Sequence, residues 1–190
     1  NENLIGYSNY FFSHGKNTLE VKNYTQFKVK LFNVVVFSVA GEALEKYEND
    51  MLINYNSITF QNDKEKYVKL KYDKLNNIFV IDGSSFKGKV SIDAIVGNWW
   101  NHKILEAEKQ ISPVSGSIKE QIVTFMGNEK IEQYGRTFEV DHFKLNSKDM
   151  SIPKDKRLDF DIWLDKKSSM IIRVSYSRMG DWEYRLKSLK

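Results

Sequence analysis

The chain contains no cysteine, so no disulfide framework staples it and no thiolate can ligate a zinc or iron–sulfur centre. Two prolines and ten glycines in 190 residues are too few for a collagen-like or low-complexity chain. Long apolar runs are missing as well. The longest is Val34–Phe37, extended past Ser38 by Val39 and Ala40, far short of the ~20 residues that a membrane-spanning helix needs. Nor is charge of one sign concentrated. The net charge of +4 is spread out, with 12 Lys and Arg against 11 Asp and Glu in residues 1–95, and 17 against 14 in residues 96–190. The densest basic stretch, Lys64 to Lys74, is interrupted by Glu65 and Asp73 and preceded by Asp63, which blunts the phosphate attraction that nucleic-acid binding relies on. Nucleic acid is therefore not an expected partner.

What is present is a globular composition, with hydrophobic residues at 41% and charged residues at 28%, enough to form a core without a metal or disulfide. Apolar residues recur with period two, the mark of half-buried strands. From Leu19 to Leu31 the odd positions include Leu19, Val21, Phe27, Val29 and Leu31, and the even ones Glu20, Lys22, Gln26, Lys28 and Lys30. One face of that strand is core and the other is wet. A second strand is expected over Val34–Tyr47 and a third over Met51–Phe60, joined as a hairpin through Glu48, Asn49 and Asp50. Shorter strands follow at Tyr67–Tyr72, Ile78–Ile81 and Phe86–Val90, then Lys130–Tyr134 and Arg136–Leu145 around Gly135. Leu158–Leu164, Ile172–Tyr176 and Trp182–Leu186 close the chain, joined by turns near Ser168 and Gly180; in the second of them Ile172, Val174 and Tyr176 are expected on one face, alternating with Arg173, Ser175 and Ser177.

The period breaks over residues 91–117. Ser91 is positioned to cap a short helix carrying Ile92, Ile95 and Val96, followed by Trp99 and Trp100 and a loop through Pro113 and Gly116. No linker and no internal repeat divides the sequence, so the expected architecture is mainly β, a single domain over 1–190. In it a strongly curved antiparallel sheet, a half-barrel, wraps around the short helical, Trp-bearing segment.

No catalytic constellation emerges. Asp159, Asp161 and Asp165 share one strand face, but their alternation with Leu158, Phe160, Ile162 and Leu164 is what a sheet with a solvated face requires. Trp163 shares that face, either under a cross-strand neighbour or at a second partly buried surface. His14, His102 and His142 lack any spacing that brings two imidazoles to one metal. Ser112, Ser115 and Ser117 lie near Gly116 without a G-x-S-x-G elbow, and phosphate-binding glycine motifs are absent. Neither an enzyme, a metal nor a cofactor is expected. Trp99 and Trp100 stand out, because two adjacent indoles outside a strand cannot both point into one core without a special backbone path.

Several short motifs resemble a family of exported proteobacterial proteins, a domain of unknown function found mainly in alphaproteobacteria and broadly similar to the lipoprotein-carrier half-barrels. They are Leu4-Ile5-Gly6-Tyr7, Glu45 with Tyr47, Trp100-Asn101, Gly127-Asn128-Glu129-Lys130-Ile131, Phe160-Asp161-Ile162-Trp163-Leu164-Asp165 and Trp182-Glu183-Tyr184-Arg185-Leu186. Two features depart from the family pattern: Lys166-Lys167-Ser168-Ser169 stands where a glycine turn is usual, and only four residues precede Ile5, where the pattern has another strand. With the start at Asn1, the resemblance implies an exported periplasmic protein from which a signal peptide has been removed.

The function expected on these grounds is non-enzymatic binding of a lipid or other hydrophobic small molecule in the envelope, on a concave apolar sheet face. Phe27, Val29, Leu31, Phe37, Trp99, Trp100, Ile162 and Tyr176 are the expected ligand-side residues. The alternative is a periplasmic assembly protein with a filled core, acting on an envelope protein partner through an exposed edge or aromatic patch.

Overall fold

A computed structural model describes residues 3–32, 34–177 and 181–189. The side chain of Leu31 and the turn expected near Gly180 lie outside the described residues. The fold is mainly β, as the period-two pattern requires. The chain divides into two compact units, Asn1–Ile92 with Ser112–Ile118, and Asp93–Ile111 with Lys119–Lys190.

The first unit holds a seven-stranded antiparallel meander in which every strand pairs with its sequence neighbour. Its strands are β1 (Gly6–His14), β2 (Thr18–Leu31), β3 (Val34–Glu48), β4 (Met51–Gln61), β5 (Lys64–Asp73), β6 (Ile78–Gly83) and β7 (Lys87–Ser91). The hairpin turns are set by residues that accept positive φ: Asn49 and Asp50 at 48° and 63°, Asn62 and Asp63 at 47° and 62°. Two successive left-handed residues make the primed turn whose twist matches the flanking strands. The inner face carries Val21, Val68, Leu70, Phe79 and Ile81. It also carries polar groups, two of which, on Tyr55 and Ser57, the segment Ser112–Ile118 satisfies. Tyr55 and Ser57 both donate to the carbonyl of Pro113, at 2.9 and 2.7 Å, and Ser85 N–H donates to the Ser115 carbonyl at 2.9 Å. Gly83 lets that segment close in, since a Cβ there would lie 2.6 Å from the Ser115 oxygen.

The second unit holds seven strands: β8 (Ile95–Val96), β9 (Lys109–Ile111), β10 (Ile118–Gln133), β11 (Arg136–Ser147), β12 (Asp159–Asp165), β13 (Met170–Ser177) and β14 (Asp181–Arg185). The β8–β9 pair is parallel, and the sheet curls into a half-barrel. On one face Ile104, Leu145, Leu158, Ile162, Ile171 and Val174 form an apolar core, with Trp99, Phe160 and Tyr184 packed around it. The expected wrapping of the sheet around the Trp-bearing segment is therefore realised in this unit.

Three local expectations need correction. Ser91 caps no helix: it ends β7, and Ile95 and Val96 form β8. The helical element is a single 3₁₀ turn, His102–Leu105, capped by the Asn101 side chain, which accepts from Lys103 N–H at 3.1 Å. The expected strand at Lys130 is the far half of the 16-residue β10, whose first half has no clean alternation because it buries Gln121 rather than a hydrophobe. Ile172 and Val174 do not share a face. A bulge opposite Trp163 and Leu164 turns the adjacent residues Ile171 and Ile172 into separate cores, the second formed by Ile131, Val140 and Ile172.

Candidate functional site

The ligand-side residues expected from sequence fall into two groups. Phe27, Val29, Leu31 and Phe37 belong to the β2–β3 hairpin. There Phe27 and Phe37 meet with ring centroids 5.8 Å apart, Val29 faces Phe37 across the pair, and all three are half-buried. Trp99, Trp100, Ile162 and Tyr176 belong to the second unit. Ile162 has no exposed surface, and Trp99 stands edge-on to Phe160 at 5.1 Å, itself 5.2 Å from Tyr176. Ile162 thus lies in one packed core, Trp99 and Phe160 pack against it, and Tyr176 stands against Phe160. Trp100 is half-buried, beside the Asn101 cap.

The open concavity of the first unit lies on the face opposite its core. Cross-strand registers stack Tyr24, Glu42, Ile58 and Tyr67 in one row, and Lys22, Leu44, Asn56, Lys69 and Asp82 in the next. Together they line a depression of about 560 Å³. Leu44 and Ile58 supply its apolar floor, and Tyr24 and Tyr67 bring aromatic walls from strands on either side. Lys22 on β2 and Lys69 on β5 stand three strands apart, ~14 Å at the usual strand spacing. The Lys69 ammonium lies 6.0 Å over the Tyr67 ring, and Lys22 is 3.6 Å from Glu20. The Tyr67 hydroxyl donates to Asp82 at 3.2 Å. Hydrogen bonding from Lys87, 2.9 Å away, holds the Asp82 carboxyl below its ordinary value. Such a surface can take an elongated apolar group, and its rim is of mixed charge, Lys22 and Lys69 standing among Glu42, Glu65 and Asp82. None of the eight residues expected from sequence lines it. Period two places Lys22 on the wet face of its strand, and only the register shows Leu44, Ile58, Tyr24 and Tyr67 adjacent.

The carboxylates of β12 are committed to neighbours. Lys144 bridges Asp159 and Asp161 at 2.7 and 2.8 Å, and Asp161 also meets His142 Nε2 at 2.8 Å. Partial burial pushes the Asp161 carboxyl up, but Lys144 and His142 outweigh it and hold the carboxyl below its ordinary value. The other imidazole nitrogen, Nδ1, lies 2.7 Å from Glu129, which also accepts from Trp163 Nε1 at 3.1 Å. Trp163 stacks on its cross-strand neighbour His142 at 4.7 Å and 12°, with Arg173 5.7 Å away on its ring. Carboxylates thus engage both nitrogens of His142, and the cluster ties β10, β11 and β12 together across the strands. Asp165, buried, accepts from the Ser168 N–H and hydroxyl at 2.9 and 2.6 Å. It closes a turn in which Ser169, at φ 56°, takes the conformation that glycine usually supplies.

The motif residues Glu45 and Tyr47 are joined directly: the Tyr47 hydroxyl donates to the buried Glu45 carboxylate at 2.6 Å. Among the described residues no helix is long and apolar enough to cross a membrane, which leaves spanning by strands unaddressed. Comparison with curated proteins yields no match, and comparison with solved structures yields none. A family model does match, over residues 1–187, and the chain belongs to that family, the domain of unknown function DUF6134.

Proposed function

We propose that this protein is a non-enzymatic envelope protein that binds an amphiphilic lipid or a similar hydrophobic molecule on the first sheet. The observation that carries the reading is the depression over Leu44 and Ile58, walled by Tyr24 and Tyr67, with Lys22 and Lys69 and the carboxylates Glu42, Glu65 and Asp82 around it to meet a polar head. Apolar surface with a few convergent polar groups is the usual form of a small-molecule site. The site differs from the one the sequence pointed to, the inner apolar face. In each unit that face carries the chain's own residues, Ser112–Ile118 in one and Trp99 with Ile104 in the other. Periplasmic location and kinship to lipoprotein carriers belong to the same proposal, supported by the motif resemblance and a chain free of cysteine.

The test is uptake of a fluorescent fatty-acid probe by the full chain, with native mass spectrometry of organic-solvent extracts to identify a co-purifying ligand. Ile58→Asp, on the exposed face of β4, should lower uptake about tenfold or more with an unchanged far-ultraviolet circular dichroism spectrum, because it places a charge in the apolar floor. Equal uptake by the variant, or none by the parent protein, overturns the reading. The second reading, an assembly protein working through an exposed edge or aromatic patch, gains support from the self-filled inner faces. It expects no probe uptake at all.

A further inference from the structure

The β2–β3 hairpin outreaches both strands that flank it. β1 stops pairing at Gly6 opposite Phe27, with one last bond from Lys28 N–H to the Ile5 carbonyl at 2.8 Å. On the other side β4 begins pairing only at Val39, opposite Gln61. Among the described residues, Val29–Leu31 and Val34–Phe37 therefore pair with each other alone, as a two-stranded ribbon projecting ~10 Å at the rise of a strand.

The projecting end is apolar. Phe32 is 93% exposed and Val34 64%, and Val35 and Val36 are exposed beside them. Charge on the ribbon has one sign. Between Glu20 and Glu42 the chain has no acidic residue, and its cations are Lys22, Lys28 and Lys30. Lys30 on the ribbon and Lys28 at its base are exposed, and among the described residues no carboxylate pairs with either. Lys30 lies two residues behind Phe32, ~7 Å along the strand.

We infer that this ribbon docks the protein on an anionic lipid surface, with Phe32, Val34 and Val35 entering the headgroup boundary and Lys28 and Lys30 meeting lipid phosphates. The distances fit, because interfacial elements bury their apolar face only ~5–10 Å deep. The ribbon's outer backbone groups limit that depth: unpaired N–H and C=O groups are tolerated at the wet interface and not in the hydrocarbon. A protein strand added along the ribbon is disfavoured by geometry, since each free edge is only three or four residues long and the exposed apolar surface gathers at the tip. The docking reading is independent of the depression on the first sheet.

The test is co-sedimentation of the full chain with sonicated vesicles of phosphatidylcholine alone, or phosphatidylcholine with a third of phosphatidylglycerol, at low and high salt. Binding should require phosphatidylglycerol and weaken with salt. Phe32→Ser with Val35→Ser should abolish it, and Lys28→Gln and Lys30→Gln should each lower it about fivefold. Phe32→Trp should add an emission that shifts to the blue with the anionic vesicles, relative to the unsubstituted protein. Fatty-acid probe uptake should be unchanged in these variants, which separates this inference from the one before it. No vesicle binding, binding indifferent to the tip variants, or a dimer in sedimentation velocity that Phe32→Ser dissolves would each overturn it, the last by naming a second copy as the occupant.

Discussion

The two sheets have the same number of strands and different ways of satisfying the polar groups they bury. The first is a plain meander whose inner face mixes hydrophobes with Glu45, Tyr55, Ser57 and Thr59, and part of that polarity is met by one backbone carbonyl, at Pro113. The second has a parallel pair and two 3₁₀ turns, and beside its apolar core it buries Gln121 and Ser147, which bond within the same unit: Gln121 donates to the carbonyls of Ile104 and Ala107, and the Ser147 hydroxyl accepts from Leu158 N–H. Both sheets carry bulges, and both keep buried polar groups where a partner is at hand: the returning Pro113 carbonyl and Tyr47 in the first, loop carbonyls at Ile104 and Ala107 in the second.

The comparison breaks most sharply at Ile162. Ile162→Ala removes a side chain with no exposed surface from the aliphatic core, and should cost about 2–5 kcal/mol. Thermal unfolding followed by circular dichroism reads this, and a loss below 1 kcal/mol would mean that the core rearranges freely. Next comes Gly83→Ala in the first unit, whose Cβ would meet the Ser115 oxygen at 2.6 Å and Gly116 Cα at 3.1 Å, both backbone atoms. Forcing that segment outward should cost about 1–3 kcal/mol and speed hydrogen exchange at Ser85, whose N–H bonds to Ser115.

Smaller still is Tyr55→Phe, which deletes one of two donors to the Pro113 carbonyl. About 1 kcal/mol is expected in urea unfolding, because Ser57 still satisfies the oxygen. Burial pushes the Tyr55 phenol's pKa up, with the Glu45 charge adding to it, so absorbance should show no phenolate from this residue while the fold persists in mild alkali.

The smallest effect sharpens the comparison from the outer face of the second sheet. Asp161 titrates lower in the folded chain than in the unfolded one, so its contribution is present above the ordinary carboxylate pKa of ~3.9 and is lost as pH falls through the lower folded value. Lys144→Met should therefore cost up to about 1 kcal/mol near pH 6 and progressively less in acid. A difference that grows on acidification would show the Lys144 bridge to be unimportant.

Much of this architecture was legible in the sequence. The alternation over Leu19–Leu31 and Met51–Phe60 gave strands within a residue or two of β2 and β4, because one face of each is buried and the other wet. Legibility failed where a buried position is polar or where pairing shifts. Gln121 in β10 reads as surface, yet it is buried, donating to the carbonyls of Ile104 and Ala107 and accepting from Gln110. The bulge in β13 is invisible to a period-two count, so Ile172 read as a neighbour of Val174. The depression over Leu44 and Ile58 was hidden for another reason: its residues alternate as a wet face should, and adjacency across four strands is a property of register that no single strand records.

The first unit is discontinuous in sequence, and that sets the timing of its birth. A ribosome that has released residues up to 92 has already delivered every strand of the meander, each able to zip onto the one before it, as nearest-neighbour hairpins allow. The carbonyl that Tyr55 and Ser57 need is not yet made. It emerges only after residues 93–111 have been synthesised, so the nascent sheet waits with its polar interior wet and completes itself when Ser112–Ile118 arrives.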